Sequence, residues 1–239
     1  MRTVCPRRVG AVPRAPVITT AEFVRANTRL GTAPYLPEIR LHLADEPFAL
    51  WEQTERALDR VGLPPPFWAF AWAGGQALAR YILDHPETVS GRTVLDLGSG
   101  SGLVAIAAAK AGAAAVTAAD IDPLATAAIQ LNAQANGVTI ATAGADLLDA
   151  DPTQVGPPDG DVVLAGDVFY TKPLADRVLP FLDRAGARGG QVLIGDPGRS
   201  YLPRSRLHPL ASYDVPVIRA LEDADRKPAA VWRLLPAQP

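Results

Sequence analysis

Cysteine occurs once, at Cys5, and histidine three times, at His42, His85 and His208. A lone cysteine excludes an intrachain disulfide and any cysteine-rich metal site. The histidines stand far apart and never at ligand spacing, so a zinc site is not expected and the metal assignment is none. Lysine is almost as scarce: every one of the 23 cationic residues is arginine except Lys110, Lys172 and Lys227. Nowhere do 18 apolar residues run together, so no membrane-spanning helix is expected. A net charge of −2 gives no basic field with which to hold nucleic acid. The expectation is a monomer of the reducing cytoplasm, with no nucleic-acid or membrane partner.

What is present is ample apolar content, 48% of 239 residues, enough to bury one large core. Residues 1–19 carry Arg2, Arg7, Arg8 and Arg14, no acid and three prolines. Those prolines disfavour the amphipathic helix of an organellar presequence, so this stretch reads as a disordered tail or an over-extended start. Residues 20–239 read as a single domain. Within it, 20–86 is an extension shaping a substrate groove and 87–239 a ligand-binding core.

In the extension, TAEFVRAN from Thr20 is a capped helix, and LPEIRLHLAD (36–45) alternates Ile39, Leu41 and Leu43 as an edge strand does. PFALWEQTERAL (47–58) has helical spacing, GLPPPFW (62–68) is a stiff extended connector, and WAGGQALARYILDHP (72–86) is a helix stopped at His85-Pro86. From residue 92 the pattern becomes regular. TVLDLG, AAVTAAD, VTIATAGAD, DVVLAGD and QVLIGDP are short apolar strands separated by alanine-rich helical runs, two of which end at Gly112 and Gly137. Such alternation means parallel strands with helices on both faces. The final runs, ASYDVPVIRA (211–220) and AAVWRLLPA (229–237), are separated by only eight residues and must form an antiparallel hairpin. The predicted fold is α/β: a Rossmann-like seven-stranded sheet, mostly parallel, closed by a C-terminal antiparallel hairpin.

Gly98, Gly100 and Gly102 alternate between a strand and a helix. Glycine lets a ligand lie on bare backbone, and the following helix offers unpaired N–H groups. The spacing is G-x-G-x-G rather than the G-x-G-x-x-G of dinucleotide sites, and no P-loop lysine is present. Asp96, two residues before the turn, would repel a pyrophosphate but suits a ligand carrying an ammonium or sulfonium charge. Asp120, at the end of the next strand, can accept from both hydroxyls of a ribose, and Ile121 offers an apolar face to a base. Asp146 follows the third strand, where it can accept from an adenine amino group. Singly, each acid has a plain structural reading as a cap or strand end. In order, at three successive strand ends, they point to an adenosyl ligand.

DLGSGSG, AADIDP and GADLL resemble the cofactor motifs of class I S-adenosylmethionine-dependent methyltransferases. That resemblance implies that the Gly98–Gly102 turn holds the methionine part of S-adenosyl-L-methionine, Asp120 the ribose and Asp146 the adenine. The likeness is greatest to the electron transfer flavoprotein beta-subunit lysine methyltransferase family, including its bacterial members. It runs through FVRANTRL, PEIRLHLADEPFALWEQTE, PPFWAFAWAGGQALARYILDHP, GDVFYTKPLA and IGDPGRSYLP. Two departures stand out: AWAGG has alanine where proline is expected, and AADIDP has alanine where asparagine is common. Trp72 resembles the family tryptophan that touches the cofactor, and Gly74 falls in the same stretch.

The fourth strand ends in Asp167-Val-Phe-Tyr170, without the prolines usual in nucleic-acid N-methyltransferases. Asp167 and Tyr170 are the candidate catalytic residues. Asp167 is a poor device for deprotonating lysine, because a carboxylate stabilises the ammonium. Orienting the nitrogen and receiving its developing charge is the better role, with Asp167 also bordering the cofactor. Tyr170 either packs along the lysine stem or is a core aromatic. Arg199 and Tyr201, past the fifth strand, either face an acidic protein substrate or are plain surface residues, the commoner reading. The resemblance implies a protein-lysine N-methyltransferase with electron transfer flavoprotein beta subunit as first candidate substrate. A ribosomal protein is a further candidate. A nicotinamide- or amine-type N-methyltransferase and a catalytically silent binding module remain as alternatives.

Overall fold

The computed structural model describes residues 19–46, 49–52, 65–149 and 161–237. Seven strands form the main sheet: β3 (Thr93–Leu97), β4 (Ala115–Ala119), β5 (Ala141–Ala143), β6 (Val162–Gly166), β7 (Gln191–Asp196), β8 (Leu207–Pro216) and β9 (Arg226–Leu234). Their order is β5-β4-β3-β6-β7-β9-β8. The first five are parallel, β9 runs antiparallel to β7, and β8 pairs antiparallel with β9, as the sequence predicts.

Each central strand is mostly apolar because both of its faces are covered, with Asp96 in β3 and Asp196 at the end of β7 as buried acids. Val94, Val162, Leu164 and Leu193 join one core, while Leu95, Val163, Ala165 and Ile194 join the other. Successive side chains on a strand point to opposite faces, so one short apolar run serves both cores. The first core lies under α2 (Ala73–Asp84) and α3 (Leu103–Lys110), the second under α5 (Lys172–Ala187). Helix α4 (Pro123–Ala135) starts well: the Asp122 side chain accepts from Leu124 N, and Pro123 occupies the first turn. No described helix is long and apolar enough to cross a membrane.

Helix α1 (Thr20–Asn27) carries a reciprocal cap, in which Thr19 accepts from Glu22 N and Glu22 accepts from Thr19 N. The 36–45 run does form a strand, β2 (Leu36–Leu43), with Ile39 and Leu41 buried. It is not an edge of the main sheet. It pairs with β1 (Arg29–Ala33), which the sequence does not reveal, in a separate two-stranded ribbon. Asparagines of α4 hold this ribbon: Asn132 Oδ1 accepts from His42 N at 2.7 Å, and Asn136 Oδ1 accepts from Arg40 N at 3.0 Å. Residues 67–69 form one 3-10 turn rather than an extended connector, and the third parallel strand is shortened to 141–143. Of the helix expected over 47–58, residues 49–52 are helical and the remainder lies outside the described residues, as does the 1–18 tail.

Candidate active site

The carboxyl ends of β3, β4 and β6 and the start of α2 enclose a cavity of about 410 Å³. That size is in the range of cofactor and drug-sized sites. Gly98, Gly100 and Gly102 all adopt left-handed backbone, with φ of 65°, 54° and 80°, which is why residues without a Cβ alternate there.

Two carboxylates brace the turn. Asp96 Oδ2 accepts from the Ser99 hydroxyl at 2.5 Å and from Ala105 N at 3.0 Å, so it pins the turn to the first turn of α3. Burial pushes the Asp96 carboxyl up to about 7, against the pull of those donors. Asp120 Oδ2 accepts from Gly100 N at 2.9 Å, and Oδ1 accepts from Asp122 N at 3.0 Å. Each oxygen keeps a second lone pair for a ligand hydroxyl. Ile121, beside it, is 64% exposed. An apolar side chain left open on a cavity wall is the uncommon observation, and it suits a stacked base.

Asp146 also borders the cavity, but not as a free acceptor. Arg177 Nη2 donates to its Oδ2 at 2.8 Å, Leu148 N donates to Oδ1 at 3.1 Å, and the arginine holds its carboxyl below the usual range. Gly74 and Gly102 stand behind the wall rather than on it. A Cβ on Gly102 would meet Ile129 of α4 at 3.3 Å, and one on Gly74 would meet the Gly195 carbonyl oxygen at 2.3 Å. Both are close-packing glycines. From that stretch it is Gly75 that lines the cavity.

Asp167 directly follows β6 and has φ of 57°, a left-handed conformation that a non-glycine residue holds only at a cost. It is not the cap of α5, whose first turn follows Thr171. Its Oδ2 accepts from Gly75 N at 3.0 Å; its Oδ1 accepts from Arg199 Nε and Nη2 at 3.1 and 2.8 Å. Burial nevertheless dominates, raising its carboxyl to about 6 despite Arg199. Arg199 is therefore an inward-facing member of the site, not the surface residue expected from the sequence. Tyr201, by contrast, is 44% exposed.

The remaining wall is aromatic. Trp72 Nε1 donates to the Phe67 carbonyl at 2.9 Å, and the Phe67 ring lies 5.8 Å from Trp72 and 5.4 Å from Tyr170. Tyr170 is 43% exposed, so it is no core aromatic. Phe67 and Gly75 are site residues that sequence reasoning did not single out, and Arg199, expected to face a substrate or lie at the surface, is tied into the site through Asp167. Arg199 had a signal: glycine and arginine directly after a strand-end Asp-Pro, where Asp196 Oδ1 accepts from Gly198 N and Arg199 N.

Backbone N–H groups, a diol acceptor, an apolar wall and a buried acid meet in one cleft. This set fits S-adenosyl-L-methionine. Among the described residues no three His, Cys, Asp or Glu side chains gather as a metal site.

Residues 77–166 match the family model of ribosomal protein L11 methyltransferase (PrmA). A solved ribosomal protein L11 methylase from Lactobacillus delbrueckii subsp. bulgaricus superposes with a TM-score of 0.50 at 27% identity, over 73% of this chain and 83% of that one. The electron transfer flavoprotein beta subunit lysine methyltransferase of Danio rerio is 39% identical over 88% of this chain and 81% of its own length. That of Xenopus laevis is 38% identical over 97% and 91%. The cleft and these relatives agree: the chain belongs to the electron transfer flavoprotein beta subunit lysine methyltransferase family, a branch of the class I S-adenosylmethionine-dependent methyltransferases.

Proposed function

We propose that this protein moves a methyl group from S-adenosyl-L-methionine to a lysine nitrogen of electron transfer flavoprotein beta subunit. The observation that carries the reading is Asp167: a buried acid in left-handed backbone, at the strand end next to the glycine turn, bordered by Trp72 and Tyr170. The family model of L11 methyltransferases matches residues 77–166 and stops one position before this acid, so that model supports the cofactor half of the reading. The substrate named for the relatives at 38–39% identity is the first candidate here.

The cofactor, when bound, supplies an electrophilic methyl group on a cationic sulfur. We assign the backbone of Gly98 and Gly100, with Asp96 behind it, to the methionine part. Asp120 takes the ribose hydroxyls, and Ile121 with the edge of Asp146 takes the adenine. Asp167 orients the incoming nitrogen and receives the charge that develops on it. Tyr170 and Trp72 form an aromatic collar that can pack along an aliphatic lysine stem and keep water from the nitrogen.

The test is incubation of the protein with methyl-labelled cofactor, electron transfer flavoprotein beta subunit and, separately, a cell lysate. Label on one or more lysines of that subunit is the expected result. Label confined to small molecules would assign an amine-type methyltransferase instead, and no label at all would leave only a binding module.

A further inference from the structure

A free lysine amine keeps its proton up to a pH of about 10.4, and a lone buried carboxylate beside it strengthens that hold. The nitrogen needs its lone pair to take a methyl group, so Asp167 by itself works against the reaction. A cation is built against it. Arg199 Nε and Nη2 bond Asp167 Oδ1, and the same guanidinium donates to Glu222 Oε1 at 3.0 Å. Lys227 Nζ, 2.5 Å from Glu222 Oε2, ends a row of alternating charge. The side chains of Asp167 and Glu222 are only 10% and 4% exposed, so water does little of the screening. Arg199 also borders the cavity itself, with its guanidinium carbon 5.9 Å from the Trp72 ring centroid.

We propose that Arg199 is a positioning residue that offsets the charge of Asp167, so that the carboxylate can orient a substrate lysine nitrogen without holding its proton. This rests on the lysine reading given above. Glu222, the last residue of a short helix (Arg219–Glu222) between β8 and β9, fixes the guanidinium from its far side. The other ionisable groups around the pair are mostly acids. Asp196 ends β7, with its Oδ2 buried and without a hydrogen-bond partner. Asp96, Asp120 and Tyr170 line the same cavity. Arg204 lies beside Gly198, near Asp196. Removing the Arg199 charge leaves a site that holds every nearby proton more tightly.

The experiment follows methylation of electron transfer flavoprotein beta subunit from pH 6.5 to 10 for wild type, Arg199→Gln, Arg199→Lys and Glu222→Gln. In Arg199→Gln the rising limb of kcat, which reports the lysine in the enzyme–substrate complex, should move up by about one pH unit or more, giving at least about a tenfold loss near pH 7.5 that narrows above pH 9.5. Arg199→Lys, which keeps a cation, should keep the wild-type limb with a lower plateau. Glu222→Gln removes an acid and should move the limb the opposite way, toward lower pH. Calorimetric binding of adenosylhomocysteine, whose sulfur is uncharged, should stay within about threefold of wild type, because the cofactor groups are untouched.

A uniform loss at every pH in Arg199→Gln, with no shift of the limb, overturns the proposal and leaves a packing role. Should Arg199→Gln fail to fold, a limb that stays put or rises in Glu222→Gln overturns it equally. A wild-type protein that labels no lysine at any pH removes the lysine reading and this proposal with it. An active wild type with unmoved limbs removes the proposal alone.

Discussion

Gly74 and Gly195 meet backbone to backbone: a Cβ on Gly195 would lie 2.1 Å from the Gly74 carbonyl oxygen. Helix α2 thereby rests directly on β7, and the contact is wired to the site. Gly195 O accepts from Asp167 N at 2.9 Å, and Gly75 N donates to the Asp167 side chain.

Neither backbone can retreat from an added methyl group, so Gly195→Ala should cost about 3 kcal/mol of stability, the upper part of the usual range for overpacking. Urea unfolding measures it. Methyl transfer should fall further than stability alone accounts for, because the shift passes to Asp167. A variant with wild-type unfolding would show the two backbones to be further apart than described.

Asp167→Asn keeps the shape of the side chain and removes its charge. Folding and cofactor affinity should stay within about threefold, while kcat drops by about a hundredfold or more, the loss typical when a preorganised charge is taken from a reacting centre. Calorimetry with adenosylhomocysteine and single-turnover methylation separate the two effects. A loss of affinity with unchanged chemistry would move Asp167 out of the acceptor site.

Asp120→Ala should do the reverse. It removes the acceptor proposed for the ribose and unties Gly100 N, so the dissociation constant for adenosylhomocysteine should rise by about ten- to a hundredfold, matching charged hydrogen bonds of about 1.5–3 kcal/mol. Equilibrium binding at fixed ionic strength is the measurement.

Stability should fall as pH rises from about 4 to 7. Asp96 has a folded-state value near 7 against 3.8 for the free acid, so across that window the native form keeps a proton that the unfolded chain has lost. Asp122 and Asp167, both raised to about 6, act in the same direction over a narrower window. From pH 5.5 to 7.5 Asp96 alone corresponds to about 2 kcal/mol. Asp96→Asn should remove that share of the slope. Urea midpoints at the two pH values test it, and parallel slopes for variant and wild type would contradict the assignment.

The parallel core was legible because its signals are local. Short β-branched runs, alanine-rich helices and strand-end acids each declare themselves within a few residues. The same holds for the glycine turn, whose φ values demand that composition. What stayed hidden depends on distance along the chain. Arg199 is defined as a site residue by a partner 32 positions away; the Asp-Pro-Gly before it marks a turn but not the direction in which the arginine points. Strand β1, RLGTA, has neither length nor alternation; it exists because β2 pairs with it and asparagines of α4 anchor β2. Gly74 is conspicuous in sequence but owes its identity to Gly195, across the helix–sheet contact.

The two margins of the main sheet limit how a substrate protein can be gripped. On one side β5 exposes only three residues of ladder; on the other β8 carries Pro209 and Pro216, which have no N–H to offer, and a register shift between Pro209 and Ala211. A visiting polypeptide finds little there to extend by adding a strand of its own. Both margins are blunted against strand addition, whether by a partner polypeptide or by a second copy of the chain.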